Sequence, residues 1–154
     1  MMATLNWNRD VEGWTATLSN DVFDDLEIQV TTDGEASPPT ARQQKAVAVI
    51  ESITQANLET VAALVREYAE ENLDADELDE MEDEDFVIEL HSATVPRLRD
   101  STDSFILFAG NCDVDMEHGV GVICKNATQF AIIHSDRVYE NYDWDSVSEL
   151  NALL

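Results

Sequence analysis

The sequence predicts an α+β fold: an antiparallel sheet, made of an N-terminal hairpin and a C-terminal three-stranded meander, covered on one face by a pair of helices. Three observations lead there. Apolar and polar residues alternate with period two at 14–18 and 26–30, as in half-buried strands. Apolar residues then recur at helical spacing from 46 to 68. Short runs rich in β-branched and aromatic residues return between 105 and 134. With 154 residues, 44% of them hydrophobic, the chain can bury a core and is expected to form one domain over 1–154.

In chain order, Trp14-Thr15-Ala16-Thr17-Leu18 and Leu26-Glu27-Ile28-Gln29-Val30 form the hairpin. Ser19-Asn20-Asp21 supplies its turn, and Val22-Phe23 is a candidate extension of the second strand. Asp33-Gly34 and Ser37-Pro38-Pro39 close the unit. Thr40 or Ser37 is placed to cap a first helix whose stripe is Ala46, Val47, Val49, Ile50 and Ile53. Thr54 or Asn57 caps a second, with Leu58, Val61, Ala62, Leu64, Val65 and Tyr68 on its apolar face as far as Asn72.

Between Asp74 and Asp85 nine of twelve residues are acidic. The run lacks the glycine that a calcium-binding EF-hand loop needs at its turn, so a solvated linker over about 72–85, running into a short helix, is expected. Phe86 to Leu90 offers a strand as an alternative. Ala93 to Leu98 reads as an edge strand, because Pro96 cannot donate to a ladder. Phe105–Ala109, Val120–Cys124 and Gln129–His134 make the meander, with Lys125-Asn126-Ala127-Thr128 as a tight turn. Tyr139, Tyr142, Trp144, Val147 and Leu150 mark a packed tail, and Asp145 or Ser146 opens a short helix.

Charge narrows the function. There are 33 acidic and 8 basic residues, a net charge of -25 and a pI near 4.1. Phosphate-backbone binding needs Lys and Arg in number, so neither nucleic acid nor an anionic membrane is an expected partner. A run of about 18 apolar residues, as a membrane span needs, is absent, as is a signal-peptide core, and a cytoplasmic protein is expected. The surface suits capture of a basic protein by steering and pairing. It equally suits a structural module of a salt-adapted host, since salt screens self-repulsion beyond about 8 Å near physiological strength.

The most distinctive stretch is Asn111-Cys112-Asp113-Val114-Asp115-Met116-Glu117-His118-Gly119-Val120-Gly121-Val122. As an extended loop it would project Asp113, Asp115 and Glu117 to one side with His118 beside them. Such a group could hold a divalent cation or act as a general acid/base set, or could simply satisfy its own loop. Two Cys and two His (Cys112, His118, Cys124, His134) invite a zinc site, but pairing of 105–109 with 120–124 would put Cys124 opposite residue 107. That is roughly 16 Å along the sheet from Cys112, too far for a shared metal or a disulfide. Two free thiols are expected, with Cys112–His118 as the one conceivable nucleophile pair; His91 and His134 read as ordinary structural residues. No nucleotide-binding glycine loop, H-E-x-x-H or G-x-S-x-G is present, and no cofactor is expected.

Residues 104–135 resemble an uncharacterised bacterial domain family marked by Cys-x-Trp-Asp-x-Glu-His-Gly-x-Gly, followed by a strand and an Asn-containing turn. Here the pattern reads Cys112, Val114, Asp115, Glu117, His118, Gly119 and Gly121, with Lys125-Asn126 in the turn. Val114 replaces the tryptophan, and Met116 stands where proline is common. The resemblance implies an accessory or immunity-type role in a bacterial toxin system and brings no catalytic residue.

The expected function is therefore non-enzymatic binding of a basic protein, as an immunity or antitoxin-like inhibitor. The Asp74–Asp85 run, with Asp76, Asp79 and Asp83 singled out, and Asp113, Asp115, Glu117 and His118 of the loop would form its surface, with exposed Trp7 or Trp144 as anchors. The competing expectations are a divalent-metal-dependent enzyme or sensor using the 113–118 loop, and the salt-adapted structural module.

Overall fold

The computed structural model describes residues 5–10, 13–32, 38–98, 102–140, 142 and 146–154, with the side chain of Asp10 left aside. The first cap candidate Ser37, the Asp33-Gly34 turn, Trp144 and Asp145 lie outside them. Among the described residues seven strands form one sheet in sequential order. They are β1 (Asn8–Asp10), β2 (Gly13–Leu18), β3 (Leu26–Thr31), β4 (Glu89–Val95), β5 (Phe105–Cys112), β6 (Asp115–Lys125) and β7 (Gln129–His134). All neighbours are antiparallel except β3 and β4, which run parallel with Ile28 opposite Ala93. A parallel pair needs a long crossover. Helices α1 (Ala41–Ser52), α2 (Gln55–Asn72) and α3 (Ala75–Asp79) supply it, and α4 (Ser135–Val138) and α5 (Val147–Ala152) complete the chain.

The fold is thus α+β with a mixed, mostly antiparallel sheet that has more strands than the hairpin and meander expected. Two corrections have physical causes. The edge strand expected at 93–98 is the interior strand β4, which begins at Glu89 and ends at Val95, so Pro96 falls one residue past the ladder it would have broken. The coverage is also two-sided. Ile106, Phe108, Val122 and Cys124 face α1 and α2, whereas Phe105, Leu107, Ala109 and Ile123 pack with Val138, Tyr142 and Leu150 of the C-terminal segment. Strands buried on both faces lose period-two alternation, and residues 105–110 are all buried.

The helix pair forms where the stripes predicted it. Thr40 and Thr54 cap α1 and α2, and each sits in a reciprocal capping box, with Gln43 and Asn57 respectively. Gln43 is itself buried and also donates to Thr31 O, tying the helix start to the end of β3. Val47, Ile50, Val61 and Val65 are fully or almost fully buried against the sheet, and each such side chain contributes about 1.5–3 kcal/mol. Among the described residues no helix is long and apolar enough to cross a membrane.

Val22 and Phe23 do not extend a strand. Asn20 Oδ1 accepts from both Val22 N and Phe23 N, folding the segment into a turn that drops Phe23 into the core. Its ring stacks on Phe108 with centroids 6.1 Å apart.

Candidate functional site

The distinctive motif is a tight hairpin, not the loop expected. β5 and β6 continue past Gly110 and Val120 until Cys112 pairs with Asp115, leaving only Asp113 and Val114 at the tip. The same register sets Cys124 opposite Ile106, one residue from the expected 107, and both cysteines are buried and free. Cys112 Sγ lies 3.4 Å from Asp85 O, and burial pushes this thiol above its ordinary pKa. Burial also pushes Cys124 up to about 11. A buried thiol held protonated is a poor nucleophile, and His118 is turned to a different partner.

That partner is Asp115. Its Oδ1 accepts from His118 N at 3.0 Å and lies 3.3 Å from His118 Nδ1. Tyr68 of α2 comes close enough for burial, and then the Asp115 charge, to raise its pKa. Glu117 is exposed beyond this pair. His118 and His134 have ring centroids 6.1 Å apart, and His134 Nδ1 accepts from Asp136 N to start α4. The hairpin therefore separates Asp113 at its tip from Asp115 and His118 on its arm. Among the described residues no three His, Cys, Asp or Glu side chains are gathered to hold a metal ion.

The glycines of the motif have packing reasons. Gly119 has φ +73°, in the left-handed region, and a Cβ there would strike Gly110 O. A Cβ on Gly121 would meet Val138 of α4 and lie 2.9 Å from Ile133 Cγ1. Val114, where the resembled pattern has tryptophan, is buried at the edge of the main core, so this position packs. Met116 is 81% exposed.

The acidic run, expected as a linker, is folded onto α2 and the hairpin. Asp74 caps α3 through Glu77 N, and Glu82 N donates to Asp85 Oδ2 at the start of a 3-10 turn over Asp83–Phe86. Arg66 on α2 pairs with Asp83 and stands 4.4 Å from the centroid of the Phe86 ring. Leu73, Leu78 and Met81 lean on the core. These apolar residues at helical spacing pin a segment whose charge alone would keep it in water.

The two predicted acidic segments meet. Asp113 and Asp85 line the same depression, and Asp85 beside it, through hydrogen bonding to the protonated form first, raises the Asp113 pKa, with lesser contributions from desolvation and the Asp85 charge. Around this pair run three shallow depressions that share walls. One, of about 850 Å³, is lined by Glu84, Val87, Glu89, Asp113 and Met116, among others. The second, about 680 Å³, shares Asp113 and Met116 and adds Leu73, Glu77, Glu80, Met81 and Asp85. The third, about 810 Å³, shares Val87 and Glu89 and reaches Phe23, Asp24 and Leu58. The result is a track with an apolar floor, seven acidic residues and no Lys or Arg along it.

Of the residues singled out by number for the site, only Asp113 lines this track. Asp76 and Asp79 are exposed on α3, Asp83 is engaged by Arg66, and Asp115 and His118 are engaged with each other. Trp7 is half-buried against the core, so it is not a free anchor; the large apolar groups exposed along the track are Val87 and Met116, and Tyr139 is exposed away from it. Glu77, Glu80, Glu84 and Asp85 belong to the acidic run without having been singled out, and Asp24 and Glu89 lie outside both predicted segments. For the members of the run the signal was the charge run itself, but which of them face the hairpin depends on the α3 and 3-10 geometry.

A second network anchors the far end of the sheet. Asn126, at φ 58°, accepts from Ser104 N at 2.7 Å and donates to Asp103 Oδ1 at 2.8 Å. Lys125 Nζ reaches Asp103 Oδ2 at 3.5 Å and Asn151 Oδ1 at 3.0 Å, linking β6 to α5. Asp103 is held below the ordinary carboxylate range, first by Asn126 and then by Lys125 and Lys45. This cluster fixes a turn and presents no open reactive group.

Fold and site together define a small α+β protein with a sequentially ordered sheet and an acidic, apolar-floored track at one end. The chain belongs to the family described as domain of unknown function DUF6985, whose model matches residues 3–139. No curated protein and no solved structure matches it.

Proposed function

We propose that this chain is a non-enzymatic binding protein that holds a basic protein at the acidic end of its sheet, as an immunity or antitoxin-like inhibitor acting in the bacterial cytoplasm. The observation that carries the reading is that Asp113 and Asp85 line one depression, which joins two acidic segments distant in sequence into one track. Overall acidity would not favour any place on the surface; this track concentrates it beside uncovered apolar groups. Its carboxylates would set the association rate and partner choice. Burying Met116 and Val87 would supply affinity, at about 25 cal/mol per Å² of apolar surface covered.

The probe is a synthetic peptide alternating lysine with leucine, titrated calorimetrically at low and high salt. Glu80→Gln/Glu84→Gln removes two charges on the track, and Asp136→Asn/Glu149→Gln removes two near the C-terminus, leaving equal net charge. The track variant should weaken binding at least tenfold at low salt, and Met116→Ala should weaken it at both salts. Equal losses in the two double variants would instead mean diffuse attraction by the -25 charge. That outcome, together with stabilisation by any salt, would favour the salt-adapted structural module. Pull-down from host lysate, washed at rising salt, then identifies the natural basic partner.

A further inference from the structure

The two edges of the sheet are built differently. β1 spans only Asn8–Asp10 and carries Arg9 and Asp10. Short, charged edges are how natural sheets deter pairing with other chains. β7 has six residues, Gln-Phe-Ala-Ile-Ile-His, without proline or a Lys, Arg, Asp or Glu. Its inner side is paired with β6 without interruption from Gln129 to His134. On its outer side no described strand pairs with it, and no described backbone hydrogen bond from outside the sheet reaches it. In an antiparallel ladder alternate residues turn their N–H and C=O groups outward, so β7 presents a row of such groups.

The side chains agree with the backbone. Phe130, Ala131 and Ile132 are half-buried, whereas the interior strand β5 is buried over 105–110. Charge gives the second observation. In a chain with 33 acidic residues, no Asp or Glu lies between Glu117 and Asp136, the longest such gap in the sequence. That gap includes β7 and most of the strand beside it.

We propose that β7 is the surface through which two copies of this chain associate, strand against identical strand, antiparallel about a twofold axis. The edge carries no charge and is self-complementary, because an antiparallel pairing of this strand with itself sets uncharged residues opposite uncharged residues. Elsewhere two copies of net charge -25 repel, and β7 is where their backbones can meet without carboxylate facing carboxylate. The pairing satisfies the outward backbone groups and covers the flanks of Phe130 and Ile132. Because the remaining charge still opposes approach, salt promotes the dimer. This inference is independent of the acidic track, which lies at the β5–β6 hairpin tip.

The test is light scattering of the full chain over a wide concentration range at low and high salt, with amide exchange resolved along 129–134. A dimer strengthened by salt is expected. Every amide of β7 should be protected in the dimer, and alternate ones should exchange freely in the dilute, low-salt monomer. Ala131→Lys should abolish the dimer and keep the melting temperature of the monomer; if that variant does not fold, the exchange pattern of the natural sequence decides. A monomer under all conditions overturns the proposal. So does a dimer whose β7 amides exchange as in the monomer, or a monomer in which all of them are already protected.

Discussion

Asp113, at the tip of the β5–β6 hairpin, faces the same depression as Asp85, at the end of the acidic run, and that neighbouring carboxyl raises its pKa. A carboxyl raised on folding contributes stability below its unfolded pKa, and that contribution is lost as pH rises through the folded value. At neutral pH the pair is therefore a point of repulsion. Asp113→Asn keeps a donor toward Asp85 and removes the charge. Its melting temperature should exceed that of the natural chain at neutral pH, and the gap should close on acidification through the carboxylate range. A gap independent of pH would contradict the assignment.

Asn126 does two things at once: it adopts φ 58° and it ties Ser104 N to Asp103. Asn126→Ala should cost about 1–3 kcal/mol, from the left-handed backbone and the lost bonds together. Asn126→Gly should recover the backbone part only. In both variants Asp103 should titrate nearer the ordinary carboxylate range. With its pKa lowered by folding, Asp103 stabilises the fold above the ordinary value and ceases to as pH falls through the lower one. Carbon-detected titration of Asp103 checks the shift, and acid melting should begin at higher pH in the variants.

Ala127 follows Asn126 in the same left-handed region, at φ 59°, where a Cβ is unfavourable. Ala127→Gly removes that strain, against the larger chain entropy that glycine loses on folding. The net expectation is a gain of up to ~1 kcal/mol, seen as a raised denaturant midpoint with an unchanged slope. A loss would mean that the turn is not left-handed at this residue.

The helix pair and its caps were legible because Thr40 and Thr54 precede stripes at helical spacing, and local chemistry decides both. The three C-terminal strands were legible instead as short runs rich in β-branched and aromatic residues set between turn residues. The β4 strand was not, because Leu90 and Ser92 flank a register shift that breaks the period, and Pro96 falsely marked the whole segment as an edge. The hairpin tip was read as a loop because Asp113, Asp115 and Glu117 are acidic. Polarity there reflects exposure at the end of a long ladder, not absence of pairing. Which acids line the track could not be read at all, since Asp85 meets Asp113 only through tertiary packing.

Gly121 allows α4 to lie close on β6. Gly121→Ala would press a methyl into Val138 and Ile133, and overpacking of this kind costs about 1–3 kcal/mol. The burial that pushes Tyr142 up to about 12 depends on the same packing, and Tyr142 Oη donates to Arg137 O of α4 at 2.7 Å. The variant should therefore lower the melting temperature and move one tyrosine toward its ordinary pKa in an absorbance titration. Destabilisation with every tyrosine unmoved would mean that the strain is absorbed elsewhere.

Arg66 fastens the acidic run: it pairs with Asp83 and packs over Phe86. The ion pair is open to water, where such a pair contributes about 0–1 kcal/mol; the cation–π contact, with Arg66 half-exposed over the buried Phe86 ring, adds about 0.5–1 kcal/mol. Removing Arg66 should thus leave the global fold nearly as stable. Locally the balance differs, because α3 is only five residues long and buries no side chain completely. It depends on Leu73, Leu78, Met81 and this one cation to offset the repulsion of its neighbours. Arg66→Ala should speed amide exchange over 75–86 severalfold, while the amides of β5 and β6 stay as slow as before. Arg66→Lys keeps the charge but not the planar group over Phe86, and should give an intermediate rate. High salt should slow exchange in all three proteins by screening the acids from one another. Uniform acceleration across the sheet would show that Arg66 supports the whole fold, and no acceleration would show that the acidic run is held by its apolar residues alone.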